Sequence, residues 1–202
     1  MEGSHRYSAR GRHDWFGRWC PRLILALLGL LCCGAEPTNA PRVLATEYQL
    51  KAVFLFNFVQ FVTWPASAHA TKVSPIVIGI VGENLFGDAL DDAVKGEEVG
   101  GRSLTVRRFK EGDDLTACHV LFVASSLKGT VGELLRALQG RPVLTVGETP
   151  GFAARGGVIN FVMANKKVHF EANREAATRQ GLTISSKLLA LARVVDGKGE
   201  VK

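Results

Sequence analysis

The side chains able to do chemistry are spread thinly along the chain. Ser125 and Ser126 stand at the end of the strand-like run "CHVLFVASS", where nucleophiles of α/β enzymes often sit. A serine hydrolase needs the strained G-x-S-x-G elbow and a His and an acid behind it. The elbow is absent, and no such triad can be assembled from the spacing. His69, His119 and His169 are far apart in the chain, whereas a helix-borne metal site places two ligands four residues apart, so they read as lone histidines on strands or surface. Asp91–Asp92 and Asp113–Asp114 lie in polar contexts and read as a helix surface and a loop rather than an acid/base couple. The glycines of "GIVGENLFG" match neither the dinucleotide nor the Walker spacing, and a turn after a buried strand accounts for them. These readings leave an enzymatic site unfilled, so a non-enzyme with no metal and no cofactor is expected.

Cysteine use adds a constraint. Of four cysteines, Cys20, Cys32 and Cys33 fall in the first 45 residues, leaving Cys118 as a free thiol downstream and no intrachain disulfide. Cys118 opens a strand-like run and reads as a small buried hydrophobe. His119 beside it points to the opposite face of a strand, against a Cys–His pair.

The first 45 residues have the organisation of an export signal. Arg6, Arg10, Arg12, Arg18 and Arg22 precede the apolar "LILALLGLL", and small-residue cleavage options follow at Ala40 and Ala45. The expected division is residues 1–45 as signal and linker, 46–195 as one domain, and 196–202 as a polar tail. Without the signal the net charge falls from +6 to +3. The remaining basic residues are scattered and not interleaved with stacking aromatics, so nucleic acid is not an expected partner.

The element that dominates the domain's start is "KAVFLFNFVQFVTWP", Lys51 to Pro65. It is too short, and too interrupted by Asn57 and Gln60, to span a membrane. As a helix it places Leu50, Phe54, Phe58 and Phe61 on one stripe, with Thr46 as N-cap and Pro65 as terminator. It reads as a core helix, or as one shared between the core and a partner. Downstream, "PIVIGIV", "HVLFVA" and "PVLTVGE" have the continuous apolar character of strands buried on both faces, "LTVRRF" suits an outer strand, and "LFGDALDDAV" and "TVGELLRAL" have helical spacing. Val158–Met163 and Val168–Glu171 flank "ANKK" as a β-hairpin. A helix capped at Asn173 and a final helix from about Ser185, carrying Leu188 to Ala192, complete the domain. The fold class predicted is α/β: a single domain with a mostly parallel sheet flanked by helices, a C-terminal β-hairpin and two C-terminal helices.

Together "EYQLKAVFLFNFVQFVTWP", "CHVLFVASS", "GGVINFV…KVHFEAN" and "GLTISSKLLALARVV", in this order from about Glu47 to Val195, resemble the YfiR family of bacterial periplasmic proteins. That resemblance implies a regulator that binds the periplasmic sensory domain of an inner-membrane diguanylate cyclase and holds it inactive, lowering cyclic-di-GMP and so acting on biofilm formation. It also implies an outer-membrane lipoprotein that draws the repressor away, and a homodimer. The family's motif residues fall on Asn57, Trp64, Asn160, Phe161, Phe170, Glu171, Asn173, Lys187 and Arg193, candidates for partner or ligand contact. Each has a plainer reading: Phe161 and Phe170 as cross-strand core partners, Asn173 as a helix cap, Asn57 as a residue bonding nearby backbone. Trp64 is the foremost aromatic candidate for an interface. Better-known members carry cysteine pairs, of which only Cys118 has a counterpart here, so redox control by an intrachain disulfide is not expected. The alternative reading is a periplasmic small-ligand sensor acting on another membrane receptor or a histidine kinase, with the ligand near Lys187 and Arg193.

Overall fold

A computed structural model of the chain describes residues 40–71 and 73–196, with side chains from Leu44 onward. The segment expected to direct export, up to Asn39, and the tail beyond Asp196 lie outside the described residues.

The described residues begin with α1 (Ala40–Phe61), run into β1 (Val62–Thr63), and enter the sheet with β2 (Ile76–Val81). Then come α2 (Ala89–Val94), β3 (Glu98–Val99), β4 (Arg102–Phe109), β5 (Val120–Val123), α3 (Val131–Ala137) and β6 (Leu144–Gly147). The last third holds β7 (Ile159–Ala164), β8 (Lys167–Asn173), α4 (Arg174–Arg179), β9 (Thr183–Ile184), α5 (Ser186–Leu189) and β10 (Arg193–Val195). Eight strands form one sheet in the order β10-β8-β7-β6-β5-β2-β4-β3, while β1 and β9 pair antiparallel on their own. The five central strands β4, β2, β5, β6 and β7 are mutually parallel. The fold is therefore mixed α/β with a mostly parallel sheet, as its apolar runs predict.

The parallel strands stand in a doubly wound order, with the first strand, β2, between the second, β4, and the third, β5. Successive residues of β5 divide between two cores as alternation demands. Val120 and Phe122 join α1 and α2 on one face, and Leu121 and Val123 join α3 on the other. The winding changes direction between β2 and β5, so the loops after these strands part there, the place where doubly wound sheets form a crevice.

The aromatic segment is a core helix, but its phase differs from the expected stripe. Tyr48, Ala52, Leu55 and Val59 are its buried line, joined at one side by the fully buried Phe58 of the expected stripe, whereas Leu50 and Val53 are 43% and 47% exposed. Apolar residues run round most of this helix, so its pattern alone leaves open which of them turn inward. Phe54 and Phe58 pack on Phe161 of β7 and Phe170 of β8, with ring centroids 5.2–6.1 Å apart. Thr46 is not a cap: it lies within α1, whose helical backbone begins at Ala40.

The hairpin turns at Asn165 and Lys166, with φ of 52° and 60°, and Ala164 faces Lys167 across it. These are the two positive φ values that a tight hairpin turn demands. The last expected helix is shorter than its pattern: α5 ends at Leu189, and Arg193 lies instead on β10, parallel to β8. Four residues make one turn, and the β-branched pair Val194–Val195 finds a sheet edge rather than helical neighbours. Between β6 and β7 the chain folds back so that Phe152 lies over Gly147 and Gly157, where a Cβ would come within 2.4 and 2.1 Å of its ring.

Candidate functional site

At the carboxyl ends of β5 and β6 stand Ser125 and Glu148, and α1 crosses above them. The helix presents Glu47, Tyr48 and Lys51, where the i, i+4 spacing sets Glu47 beside Lys51. The Lys51 ammonium lies 2.5 Å from Glu47 and 2.7 Å from Glu148, with the Lys51 and Glu148 side chains 4% and 7% exposed. The Tyr48 hydroxyl donates to the same Glu148 oxygen at 2.8 Å, and the Ser125 amide donates to the other at 3.0 Å. Burial pushes the Glu148 carboxyl up, but the Lys51 ammonium, the Ser125 N–H and the Tyr48 hydroxyl outweigh it and hold the group below its ordinary value. Burial, and then the carboxylate that accepts its proton, push the Tyr48 phenol well above the usual range. A cation, a carboxylate and a phenol thus clasp the first helix onto the strand ends.

The clasp forms one wall of a cavity of about 500 Å³. The other wall comes from the hairpin: Asn160 and Phe161 of β7 and Glu171 of β8. Asn160 Nδ2 donates to Glu171 Oε2 at 3.1 Å, and Arg193 donates to the other Glu171 oxygen at 2.7 Å. Three motif residues on three adjacent strands are thereby joined in a row.

The remaining candidates lie elsewhere. Phe170 packs in the aromatic cluster with Phe54 and Phe58. Asn173 is fully enclosed; its Oδ1 accepts from Ala176 N as the cap of α4, and its Nδ2 donates to Ala153 O, both at 2.8 Å. Asn57 is half-buried on α1, and Lys187 is exposed on α5. Trp64 is half-buried, and its indole N–H donates to the carbonyl of His119 at 3.2 Å. Cys118 is buried against Gly79, where a Cβ would come within 2.6 Å of its sulfur, and burial pushes its thiol up to about 12.

Two histidines that read as solitary in sequence form a pair. Val77 N donates to His119 Nδ1 at 3.1 Å, so the proton of the neutral ring lies on Nε2, which meets His69 Nδ1 at 3.0 Å. The rings stack at 4.8 Å. Burial first, then the charge of His69 and of Arg102, lower His119; burial and Arg102 lower His69. The Arg102 guanidinium holds the loop that carries His69 by donating to the carbonyls of Thr71 and Ser74.

Sequence reading missed Glu47, Tyr48, Lys51 and Glu148. The Glu47–Lys51 spacing was visible, but nothing local connects it to a carboxylate 97 residues later. Among the described residues no group of His, Cys, Asp or Glu is placed to hold a metal ion, and no helix is long and apolar enough to cross a membrane.

A family model described as YfiR/HmsC-like matches residues 48–193, a span that takes in the clasp, the hairpin and the histidine pair. Among solved structures the chain is similar to a conserved domain protein from Vibrio cholerae O1 biovar El Tor str. N16961, at 12% identity and a TM-score of 0.50. The match covers 73% of this chain and 59% of that one, so this chain spans about three fifths of that protein's length. At this identity the likeness is one of fold.

Proposed function

The chain belongs to the YfiR/HmsC-like family, a family of periplasmic regulators in cyclic-di-GMP signalling, and from that premise we propose that it binds the periplasmic sensory domain of an inner-membrane diguanylate cyclase and holds it inactive. The match over residues 48–193 carries this reading. On it the protein is not an enzyme: it acts by binding the inactive state of its partner more tightly than the active one, since only differential affinity shifts an equilibrium. Release by an outer-membrane lipoprotein, export by residues 1–45 and a homodimeric state belong to the same proposal. The surface supports a binding role, because α1 leaves Leu50 and Val53 roughly half exposed beside the half-buried Asn57, and Trp64 follows at its end.

The cavity beneath α1 favours a second reading, in which a small molecule sets the affinity for that cyclase or for another membrane receptor.

The test is cellular cyclic-di-GMP with and without the gene, complemented by the full chain and by a form lacking residues 1–45. The expected result is a rise on deletion that only the exported form reverses. An unchanged level would remove the cyclase from the reading. Trp64→Ala and Lys187→Glu in the exported form should weaken repression at equal protein abundance if these side chains meet the partner.

A further inference from the structure

We infer that the cavity between α1 and the hairpin is a binding site for a cationic N–H donor, an alkylammonium or guanidinium group. The charges around it do not balance. Glu47, Glu148 and Glu171 supply three carboxylates, against the ammonium of Lys51 and the guanidinium that Arg193 extends to Glu171. One negative charge is left over in a partly enclosed space, where attraction for a cation is stronger than at open surface.

An orphaned acceptor stands in the same wall. Asn160 is 1% exposed, and its Nδ2 is committed to Glu171. Because a carboxylate only accepts, this bond fixes the amide's orientation and leaves Oδ1 as the free end. That oxygen is buried and has no hydrogen-bond partner among the described residues. A buried acceptor without a donor is costly and calls for an explanation. The donor that would satisfy it and the charge that would neutralise the cavity are properties of one group, a protonated nitrogen. A metal ion is the poorer fit, since no set of metal ligands is assembled there. Phe161 and Met163 complete the lining and offer apolar surface to the stem that carries the charge, the usual make-up of a ligand site.

A free amine and a basic side chain of a partner present the same chemistry to these residues. The experiment is a titration of the full, isotopically labelled chain with agmatine, with N-acetyl-Gly-Arg-Gly-amide and with n-butanol, following the Asn160 side-chain and Ser125 backbone amide resonances. Both cations are expected to shift these signals to saturation, and the alcohol to leave them in place. Tighter binding of agmatine supports the site with a free amine as its ligand; tighter binding of the peptide supports it with a protein side chain. Asn160→Ala and Glu47→Gln should each weaken binding about tenfold, the scale of one charge-assisted hydrogen bond. Glu47 is a partly exposed side chain whose replacement leaves the Lys51–Glu148 contact in place, so the second variant remains readable if the first folds poorly. Shifts absent with both cations, equal shifts with n-butanol, or unchanged affinity in both variants would overturn the inference. The titration contains this chain alone, so its failure is separable from failure of the cyclase reading.

Discussion

At the scale of single residues, Lys51 and Glu148 are the most consequential pair in the domain. Both side chains are almost fully buried and close to contact, so each is tolerated only because the other is there. Lys51→Met is expected to cost about 3–5 kcal/mol of unfolding free energy, because it strands a buried carboxylate. Glu148→Gln should be destabilising for the converse reason, while the double variant should be markedly more stable than the sum of the two losses predicts. Urea titration of the four proteins measures the coupling; additive losses would mean that the contact contributes no pairwise stability. The residues that carry this clasp were only half legible in the sequence. A helix-periodic Glu47–Lys51 pair can be read from spacing, but its target follows a strand whose neighbour in space is decided by the order of the whole sheet.

Among the elements, the continuous apolar strands β2, β5 and β6 and the β7–β8 hairpin were legible because period and turn chemistry are local properties. β1, β3 and β9 were not, since a strand of two residues has no period to read, and β10 was absorbed into the apparent continuation of α5. The orientation of α1 was not legible, because apolar residues run round most of the helix and only its close neighbours in the fold decide which of them turn inward. Closeness also governs the loop between β6 and β7, whose Phe152 is seated against two glycines. Gly157→Ala would force a methyl group into that ring and is expected to destabilise by about 1–3 kcal/mol, the usual cost of overpacking. Adding Phe152→Leu to Gly157→Ala should recover part of the loss, as thermal melts of the three variants would reveal; no recovery would locate the strain in the backbone instead. Because this loop begins at Glu148, its variants should also loosen the clasp.

The molecule as a whole should feel acid through the stacked histidines. His69 and His119 both titrate below the ordinary 6.5 in the folded chain, so as pH falls through that value the unfolded chain takes up more protons than the folded one. Stability is then fully present above the unfolded value and declines as pH drops below it, until the folded pair itself titrates. The expected observation is a denaturation midpoint that is flat near pH 7.5 and falls as the pH drops below about 6.5. The slope should be reduced in His119→Asn, whose side-chain oxygen can still accept from Val77 N. An unchanged slope in that variant would assign the acid response to other groups. The eight-stranded sheet has a further consequence for how copies of this protein meet. Its end strands are β3, of two residues, and β10, of three, and they cover only Arg102–Ser103 of β4 and Glu171–Asn173 of β8, so the rims are completed by the outer edges of β4 from Leu104 and of β8 up to Phe170. Charged side chains on an edge are a recognised guard against sheets joining into fibres, and these edges carry the exposed Arg107, Arg108 and Lys167. Association between copies is thereby directed to side-chain faces, where it can be specific and reversible, and away from open-ended growth along the backbone.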